Sequence, residues 1–295
     1  MASNASDFCC MKNNWLNKSE YPFRSHYFVV NGQNLHYIDE GKGDTILFIH
    51  GTPSWSFDYR NVVKALSKQY RCIAIDHIGF GLSDKPEHYD YSTINHSLTL
   101  ERFVAAKQLE NITLVVHDFG GPIGMNFAIN NPEKVNRIVV LNSWLWSSEH
   151  QPEYIKLRKV LKSPFLPFLY RHLNFSARFV LPSSFGTRKL DGKLLKQYTG
   201  PFANRHQREG TLAFAKSLLN DQEWFEQLWV KKQSINAKPT LFIWGMKDPV
   251  ITPPNLDKFV SGFPNSTVVQ LATCGHFPQE EEPEQLIRAL LKWLD

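Results

Sequence analysis

Short apolar runs alternate with helical patterns along most of the chain. The runs have the length of buried strands, and the segments between them repeat apolar positions at helical spacing. Strand followed by helix, several times over, is typical of a parallel sheet with helices on both faces. A hairpin comes first, because residues 26–30 and 35–38 flank the turn Asn31-Gly32. The further predicted strands are 45–49, 71–75, 112–116, 135–141, 239–244 and 266–271, and the clearest helices are 57–66, 98–109 and 283–294.

The alternation stops between residues 146 and 233. This stretch has no clean strand and is rich in proline, aromatic and basic residues, with short helices predicted at 153–161 and 211–219. The economical interpretation is one α/β core interrupted by a helical cap. We therefore predict a flexible N-terminal segment (1–20), a core (21–145 and 234–295) and a cap (146–233).

Composition excludes several classes of function. The chain has 295 residues, 42% of them hydrophobic, and a net charge of only +5. No dense basic run with interleaved aromatic residues is present, so a nucleic acid is not an expected partner. No apolar stretch approaches membrane-spanning length, and residues 1–17 do not resemble a secretory signal. The four cysteines have neither metal-site nor disulfide-scaffold spacing, which favours a cytoplasmic protein.

Candidate chemistry lies in four loops that follow predicted strands, where ligands of open α/β sheets bind. These loops contain His50 to Trp55, Asp118, residues 245–250 and residues 274–277. Asp118 stands at a sharp strand-to-helix turn that two glycines follow. The free N–H groups and the dipole at a helix N-terminus favour its ionised form.

An ionised carboxylate at Asp118 predicts covalent catalysis. It needs no base before it attacks a saturated carbon and forms an ester. His276 would then deprotonate a water molecule that hydrolyses the ester, and Asp248 would orient His276. The backbone N–H groups of Thr52 and Phe119 would stabilise the tetrahedral oxyanion.

Each of these residues also has a purely structural interpretation. Asp118 could cap the helix, Asp248 could serve a turn before Pro249, and His276 could be a structural histidine. The three residue types occur in the order nucleophile, acid, histidine, and this combination favours catalysis. No metal or organic cofactor is implied, because water and side chains suffice.

The motifs resemble those of the haloalkane dehalogenase and epoxide hydrolase branch of the α/β-hydrolase superfamily. The motifs that carry the resemblance are His50 to Trp55, Asp76 to Pro86, His117 to Pro122, Gly245 to Pro249 and Gly275 to Glu280. The resemblance implies the α/β-hydrolase fold and a triad of Asp118, His276 and Asp248. The alternative position for the acid falls near Asn142, which is not acidic. The expected partner is a small apolar organic substrate.

This chain departs from the haloalkane dehalogenase pattern at two positions, so the sequence does not identify the leaving group of the substrate. Haloalkane dehalogenases generally have a tryptophan after the nucleophile, where this chain has Phe119, and many have an asparagine where it has Thr52. An indole N–H from elsewhere would have to compensate, and the candidate substrate-binding residues are Trp55, Trp144, Trp146 and Tyr154.

Other functions stay open at this point. An epoxide hydrolase would need acidic O–H groups, for which the candidates are Tyr154, Tyr170 and Tyr198. A lactone-cleaving relative and a non-catalytic small-molecule receptor on the same fold are further alternatives. The sequence predicts no oligomeric state.

Overall fold

The computed structural model describes residues 14–295. The predicted flexible segment lies outside this range at residues 1–13. Within the described range, residues 15–17 contact both the core and the cap. Trp15 packs edge-on against Trp55, and its carbonyl accepts a hydrogen bond of 2.7 Å from Gln197 Nε2. The N–H of Asn17 donates in return to Gln197 Oε1.

One sheet runs through the core, in the strand order β1-β2-β4-β3-β5-β6-β7-β8. Strands β3 to β8 are parallel to one another, whereas β2 pairs antiparallel with β1 and with β4. The predicted, mostly parallel α/β-hydrolase architecture is confirmed. The strands are β1 (His26–Val30), β2 (Gln33–Glu40), β3 (Thr45–Ile49), β4 (Arg71–Ile75), β5 (Ile112–Asp118), β6 (Val135–Ser143), β7 (Thr240–Gly245) and β8 (Ser266–Leu271).

Helices of the core cover both faces of this sheet. Within β3, Leu47 and Ile49 pack into the apolar core on one face, and Ile46 and Phe48 pack into the core on the other. This explains why the central strands carry runs of consecutive apolar residues. The helices of the core are α1 (Arg60–Leu66), α2 (Thr93–Ala106), α3 (Gly120–Asn130), α10 (Pro253–Gly262), α11 (Pro278–Glu281) and α12 (Pro283–Leu294).

The segment between β6 and β7 is helical, as its proline-rich and aromatic pattern predicts. Its α-helices are α4 (Pro152–Leu161), α5 (Leu166–Leu173), α6 (Leu181–Ser183), α7 (Gly192–Thr199), α8 (Glu209–Asn220) and α9 (Gln222–Lys231). A π-helical turn, Ser176–Val180, leads directly into α6. We keep the name cap for residues 146–233.

Helix boundaries follow local capping. The predicted helix 98–109 begins earlier, at Thr93, because Ser92 adopts an extended conformation and its side chain accepts a hydrogen bond from the N–H of Asn95. Helix α12 begins at Pro283, a residue suited to a first helical turn, and it buries Leu286, Leu290 and Leu294 at four-residue spacing.

Neither a membrane-spanning helix nor a metal-binding cluster is found among residues 14–295. No helix among them combines the length and the apolar character needed to cross a membrane. The same residues contain no group of three or more His, Cys, Asp and Glu side chains that could hold a metal ion.

Candidate active site

Asp118 ends β5 in a strained conformation and lines a cavity at the carboxyl end of the strand. Its φ of 51° lies in the left-handed region, which is uncommon for a residue other than glycine. Two glycines make room for this turn. A Cβ at Gly51 would collide with the Asp118 carboxylate, and one at Gly120 would collide with the carbonyl of Ile49. The hydroxyl of Ser143 also donates to the carbonyl of Asp118 at 2.7 Å, which holds the turn in place.

The structure brings Asp118, His276 and Asp248 together, although 158 positions separate Asp118 from His276 in the chain. His276 Nε2 lies 3.3 Å from Asp118 Oδ2, and its Nδ1 lies 2.6 Å from Asp248 Oδ2. All three residues are buried, with 6%, 4% and 3% of their surfaces exposed, respectively. Each imidazole nitrogen therefore faces a carboxylate with little solvent to screen the charges.

Charge coupling shifts two pKa values of this group in opposite directions. Burial by itself would raise the pKa of Asp118, but the hydrogen bond and the charge of His276 lower it below its usual value. Burial by itself would lower the pKa of His276. The negative charge of Asp248 and the hydrogen bond to Asp118 outweigh burial and raise the pKa of His276 to about 10. At neutral pH the pair is therefore an aspartate and an imidazolium.

Asp248 is held as an acceptor by four donors. Its Oδ1 accepts hydrogen bonds from the N–H groups of Val250 and Ile251, at 2.7 and 2.9 Å. Its Oδ2 accepts from His276 Nδ1 and from Asn142 Nδ2, the latter at 2.8 Å. The amide of Asn142 is itself oriented, because its Oδ1 accepts from the N–H of Gly245. The residue at the alternative acid position thus supports the acid after β7.

One of the two predicted oxyanion donors, the N–H of Thr52, contacts the carboxylate. The N–H of Thr52 donates to Asp118 Oδ1 at 2.8 Å. Phe119 directly precedes α3, and it lines the space in front of Asp118. In this state the Thr52 N–H binds a ground-state carboxylate oxygen, the same atom that would carry negative charge in a tetrahedral intermediate.

Asp118 lines two adjoining cavities, with volumes of about 180 and 140 Å³. Asp118, Phe119, Leu157, Leu218 and Val250 line both. The larger one, which we call the polar cavity, is also lined by Trp144, Ser148, Gln151, Tyr154 and Asn255. The smaller one, which we call the apolar cavity, is also lined by His276 and by cap residues that include Leu161, Leu166, Tyr170, Phe175, Leu181 and Ala215.

Only two of the four predicted substrate-binding aromatic residues line these cavities. Trp144 and Tyr154 line the polar cavity, whereas Trp55 and Trp146 line neither. Trp55 is fully buried, and its Nε1 donates to the carbonyl of Gln197 at 3.0 Å. The structure therefore does not bring this ring to the cavities beside Asp118, because it packs into the core instead.

Trp146 is also fully buried. It packs edge-on against Trp229 and Phe259, with ring centroids 4.9 and 4.8 Å apart. Since Trp146 lines neither cavity, the structure does not bring this predicted residue to the candidate site either.

Comparisons with known proteins agree with this geometry. The sequence model described as "alpha/beta hydrolase fold" matches residues 44–283. Haloalkane dehalogenase 2 of Mycobacterium tuberculosis is 31% identical over 274 residues, which cover 92% of this chain and 95% of that protein. A cis-3-alkyl-4-alkyloxetan-2-one decarboxylase of Shewanella oneidensis is 35% identical over 279 residues, covering 90% and 86%. The chain belongs to the haloalkane dehalogenase branch of the α/β-hydrolase fold family.

A solved structure supports the same assignment for this α/β-hydrolase. The haloalkane dehalogenase DatA of Agrobacterium tumefaciens superposes with a TM-score of 0.83 at 27% identity, covering 92% of this chain and 96% of that one. The predicted fold, family and hydrolase class are therefore confirmed.

Sequence reasoning missed several residues of this hydrolase that the fold brings to the site. Asn142 contacts Asp248, and Gln151 and Asn255 meet at the polar cavity, where Gln151 Nε2 donates to Asn255 Oδ1 at 3.1 Å. Asn142 had one signal, its place at the alternative acid position. Gln151 and Asn255 had none, because their positions depend on how the cap packs against the core.

Proposed function

We propose that the protein hydrolyses carbon–halogen bonds of small apolar compounds through an ester on Asp118. The observation that carries the proposal is the Asp118 carboxylate, which lies 3.3 Å from His276 Nε2 and lines cavities with largely apolar walls. A carboxylate oxygen of Asp118 attacks the halogen-bearing carbon. The new C–O bond forms as the carbon–halogen bond breaks, and the halide leaves with the bonding electron pair.

Ester formation changes the state of His276. The ester carries no charge, so the imidazolium loses one of the two carboxylates that raise its pKa. Its proton then leaves more readily, and the neutral imidazole can deprotonate a water molecule. Hydroxide adds to the carboxyl carbon of Asp118, the ester C–O bond to that carbon breaks, and the alcohol departs. One water is consumed, and one alcohol, one halide and one proton are released.

The departing halide needs a donor, because a developing anion in an apolar pocket is costly. Phe119 has none to offer. The indole Nε1 of Trp144 is buried and finds no hydrogen-bond acceptor within residues 14–295. Its ring packs edge-on against Phe119, with centroids 4.8 Å apart, and lines the polar cavity beside Asp118. We infer that Trp144 Nε1 donates to the leaving group.

Covalent trapping tests this function. In a His276→Gln variant the first step proceeds and ester hydrolysis stops, so intact mass spectrometry should find Asp118 alkylated after incubation with bromoalkanes. The wild type should release halide and alcohol in equal amounts. The Asp118→Asn variant is the matched control and should stay unlabelled. An unlabelled His276→Gln protein across halide and epoxide panels would instead favour a non-catalytic receptor.

A second candidate substrate is a β-lactone with two alkyl arms. The observation that favours it is the pair of adjoining cavities that Asp118 lines, each able to take one arm. The decarboxylase from Shewanella oneidensis is named for such a four-membered ring. Loss of carbon dioxide from this ring leaves an alkene, so gas chromatography of alkene products separates this activity from halide release.

Epoxide opening has weaker support. The hydroxyl of Tyr154 is already committed to the carbonyl of Leu218 at 2.6 Å, and that of Tyr198 contacts Asp58 and Glu280 away from both cavities. Only Tyr170, in the apolar cavity, remains of the three candidates. Diol formation from an epoxide panel would identify this activity.

We also propose a cytoplasmic location. Cys72 and Cys274 are buried as free thiols, as expected in a reducing compartment.

A further inference from the structure

A buried polar network lies directly beneath the loop that carries His276. Less than a tenth of each residue is exposed. The network joins the core to the cap, because Tyr198 belongs to α7 and the other members belong to the core. Its members are Asp58, Arg60, His117, Tyr198, Gln279 and Glu280.

The charge of Glu280 is fixed by Arg60. Nη1 and Nη2 of Arg60 donate to the two carboxylate oxygens of Glu280, at 2.5 and 2.7 Å. Such a forked pair requires an ionised carboxylate, and its two charges cancel. Glu280 therefore carries no proton.

Tyr198 makes two contacts that its single hydrogen cannot satisfy. Its hydroxyl oxygen lies 2.7 Å from Asp58 Oδ1 and 2.7 Å from Glu280 Oε2. Both separations are those of O–H···O hydrogen bonds, and each such bond needs its own proton. Tyr198 supplies one. Since Glu280 is ionised, the second proton must be on Asp58.

The other side of the network supplies no compensating positive charge to Asp58. His117 Nε2 donates to the carbonyl of His276 at 2.7 Å, so its proton is on that nitrogen. Its Nδ1 then accepts from Gln279 Nε2 at 3.1 Å, and the same amide group donates to Asp58 Oδ2 at 3.0 Å. Burial lowers the pKa of His117 to about 3, so His117 is neutral. An ionised Asp58 would leave an uncompensated buried negative charge.

We propose that Asp58 is a neutral carboxylic acid in the folded protein. Its O–H group donates a hydrogen bond to the hydroxyl oxygen of Tyr198 in the cap. The bonds then run from Tyr198 through Asp58, Gln279 and His117 to the backbone of His276. The cap also holds this loop directly, because the carbonyl of Ser184 accepts a 2.8 Å hydrogen bond from the N–H of His276.

The charged and titratable surroundings of Asp58 agree with this assignment. They are Tyr198, Glu280, Arg60, His117 at 4.0 Å, His50 and Tyr59. The pKa of Asp58 is raised by its burial, which outweighs the hydrogen bonds that favour the ionised form. Burial lowers the pKa of His50, so that histidine supplies no compensating charge.

The pH dependence of unfolding tests the proposal without reference to catalysis. Unfolded Asp58 ionises near pH 4, so above that pH the wild type must take up a proton to fold. Asp58→Asn needs no proton, and its amide can donate to Tyr198 and accept from Gln279. Relative to the variant, the folding equilibrium constant of the wild type should fall about tenfold for each pH unit from pH 5 up to the pKa of folded Asp58.

Urea unfolding of both proteins at pH 5, 6 and 7 measures this ratio. Asp257→Asn, which removes an exposed carboxylate, is the matched control and should keep a constant ratio to the wild type. A constant ratio for Asp58→Asn as well would show that Asp58 is ionised in the folded state and would overturn the proposal.

A measurement on the wild type covers the case in which Asp58→Asn does not fold. With aspartate labelled by ¹³C at the carboxyl carbon, one resonance should keep the chemical shift of a protonated acid at pH 7. If every aspartate resonance has the shift of a carboxylate at that pH, the proposal is wrong. Neither experiment uses activity, so the proposed dehalogenation can fail or succeed separately.

Discussion

The charge on Asp118 should account for much of the unusual basicity of His276. Asp118→Asn removes this charge while keeping the size and shape of the side chain. The amide can still contact His276 Nε2 and accept from Thr52. We therefore expect the pKa of His276 to fall in this variant, since the charge favouring the imidazolium is gone and burial and Asp248 remain.

The size of the fall follows from the distance between the two groups. At 3.3 Å between Asp118 Oδ2 and His276 Nε2, an effective dielectric constant of about 20 gives an attraction of about 5 kcal/mol. That energy corresponds to a pKa difference of about 3 to 4. Starting from about 10, the pKa of His276 in Asp118→Asn should lie between about 6 and 7.

Histidine ring resonances followed by NMR between pH 5 and 10.5 measure this value. The chain has 11 histidines, and a spectrum of His276→Gln assigns the one of interest. Asp257→Asn, with its exposed carboxylate, is the control and should leave the titration unchanged. A His276 pKa above 9 in Asp118→Asn would refute the reasoning, and with it the idea that ester formation converts His276 into a base.

Three other predictions concern individual side chains. Trp144→Phe should slow halide release in a single turnover about 10²-fold with little loss of stability. Trp146→Phe is the matched control, because its buried indole N–H is equally unpartnered, and it should leave the rate unchanged. Equal rates in both variants would exclude Trp144 as the donor. Asn142→Ala should lower the free energy of unfolding by about 1 to 3 kcal/mol, because it leaves the N–H of Gly245 unpaired, and an unchanged urea midpoint would contradict this. The pKa of His276 is raised from 6.5 to about 10 in the folded protein, so the protonated imidazole stabilises the fold fully below pH 6.5, and this stabilisation is lost as pH rises through 10. Thermal unfolding of the wild type should show this decline in stability. An equal decline in His276→Gln would contradict the assignment to His276.

The fold and the grouping of Asp118, His276 and Asp248 could be predicted because both follow from local sequence patterns. Asp118 follows an apolar strand and precedes two glycines, so the turn can be identified without knowing what surrounds it. His276 and Asp248 follow later strands, and parallel strands end at the same edge of the sheet. The meeting of these three residues is therefore a consequence of topology, which the alternation of strands and helices predicts.

Trp55 shows why side-chain environments were harder to predict. It stands three residues after Thr52, in a loop at the right edge of the sheet, which suggested contact with substrate. The backbone of Trp55 is extended, with φ of −162° and ψ of −178°, and a helical turn follows it. Its ring packs among Trp15, Tyr21 and Phe57. Trp15 lies 40 positions away in the chain, and no pattern within the loop reveals such a contact.

A neutral Asp58 would also make it easier for His276 to lose its proton, which the proposed ester hydrolysis requires. In the resting site one imidazolium faces two carboxylates, and this excess of negative charge holds its proton. Ester formation on Asp118 removes one carboxylate and leaves one charge of each sign. An ionised Asp58, linked to His276 through Gln279 and His117, would restore the excess and oppose proton release at the step where a base is needed. A proton retained on Asp58 lets the cap bind beneath the histidine loop without adding a charge to it.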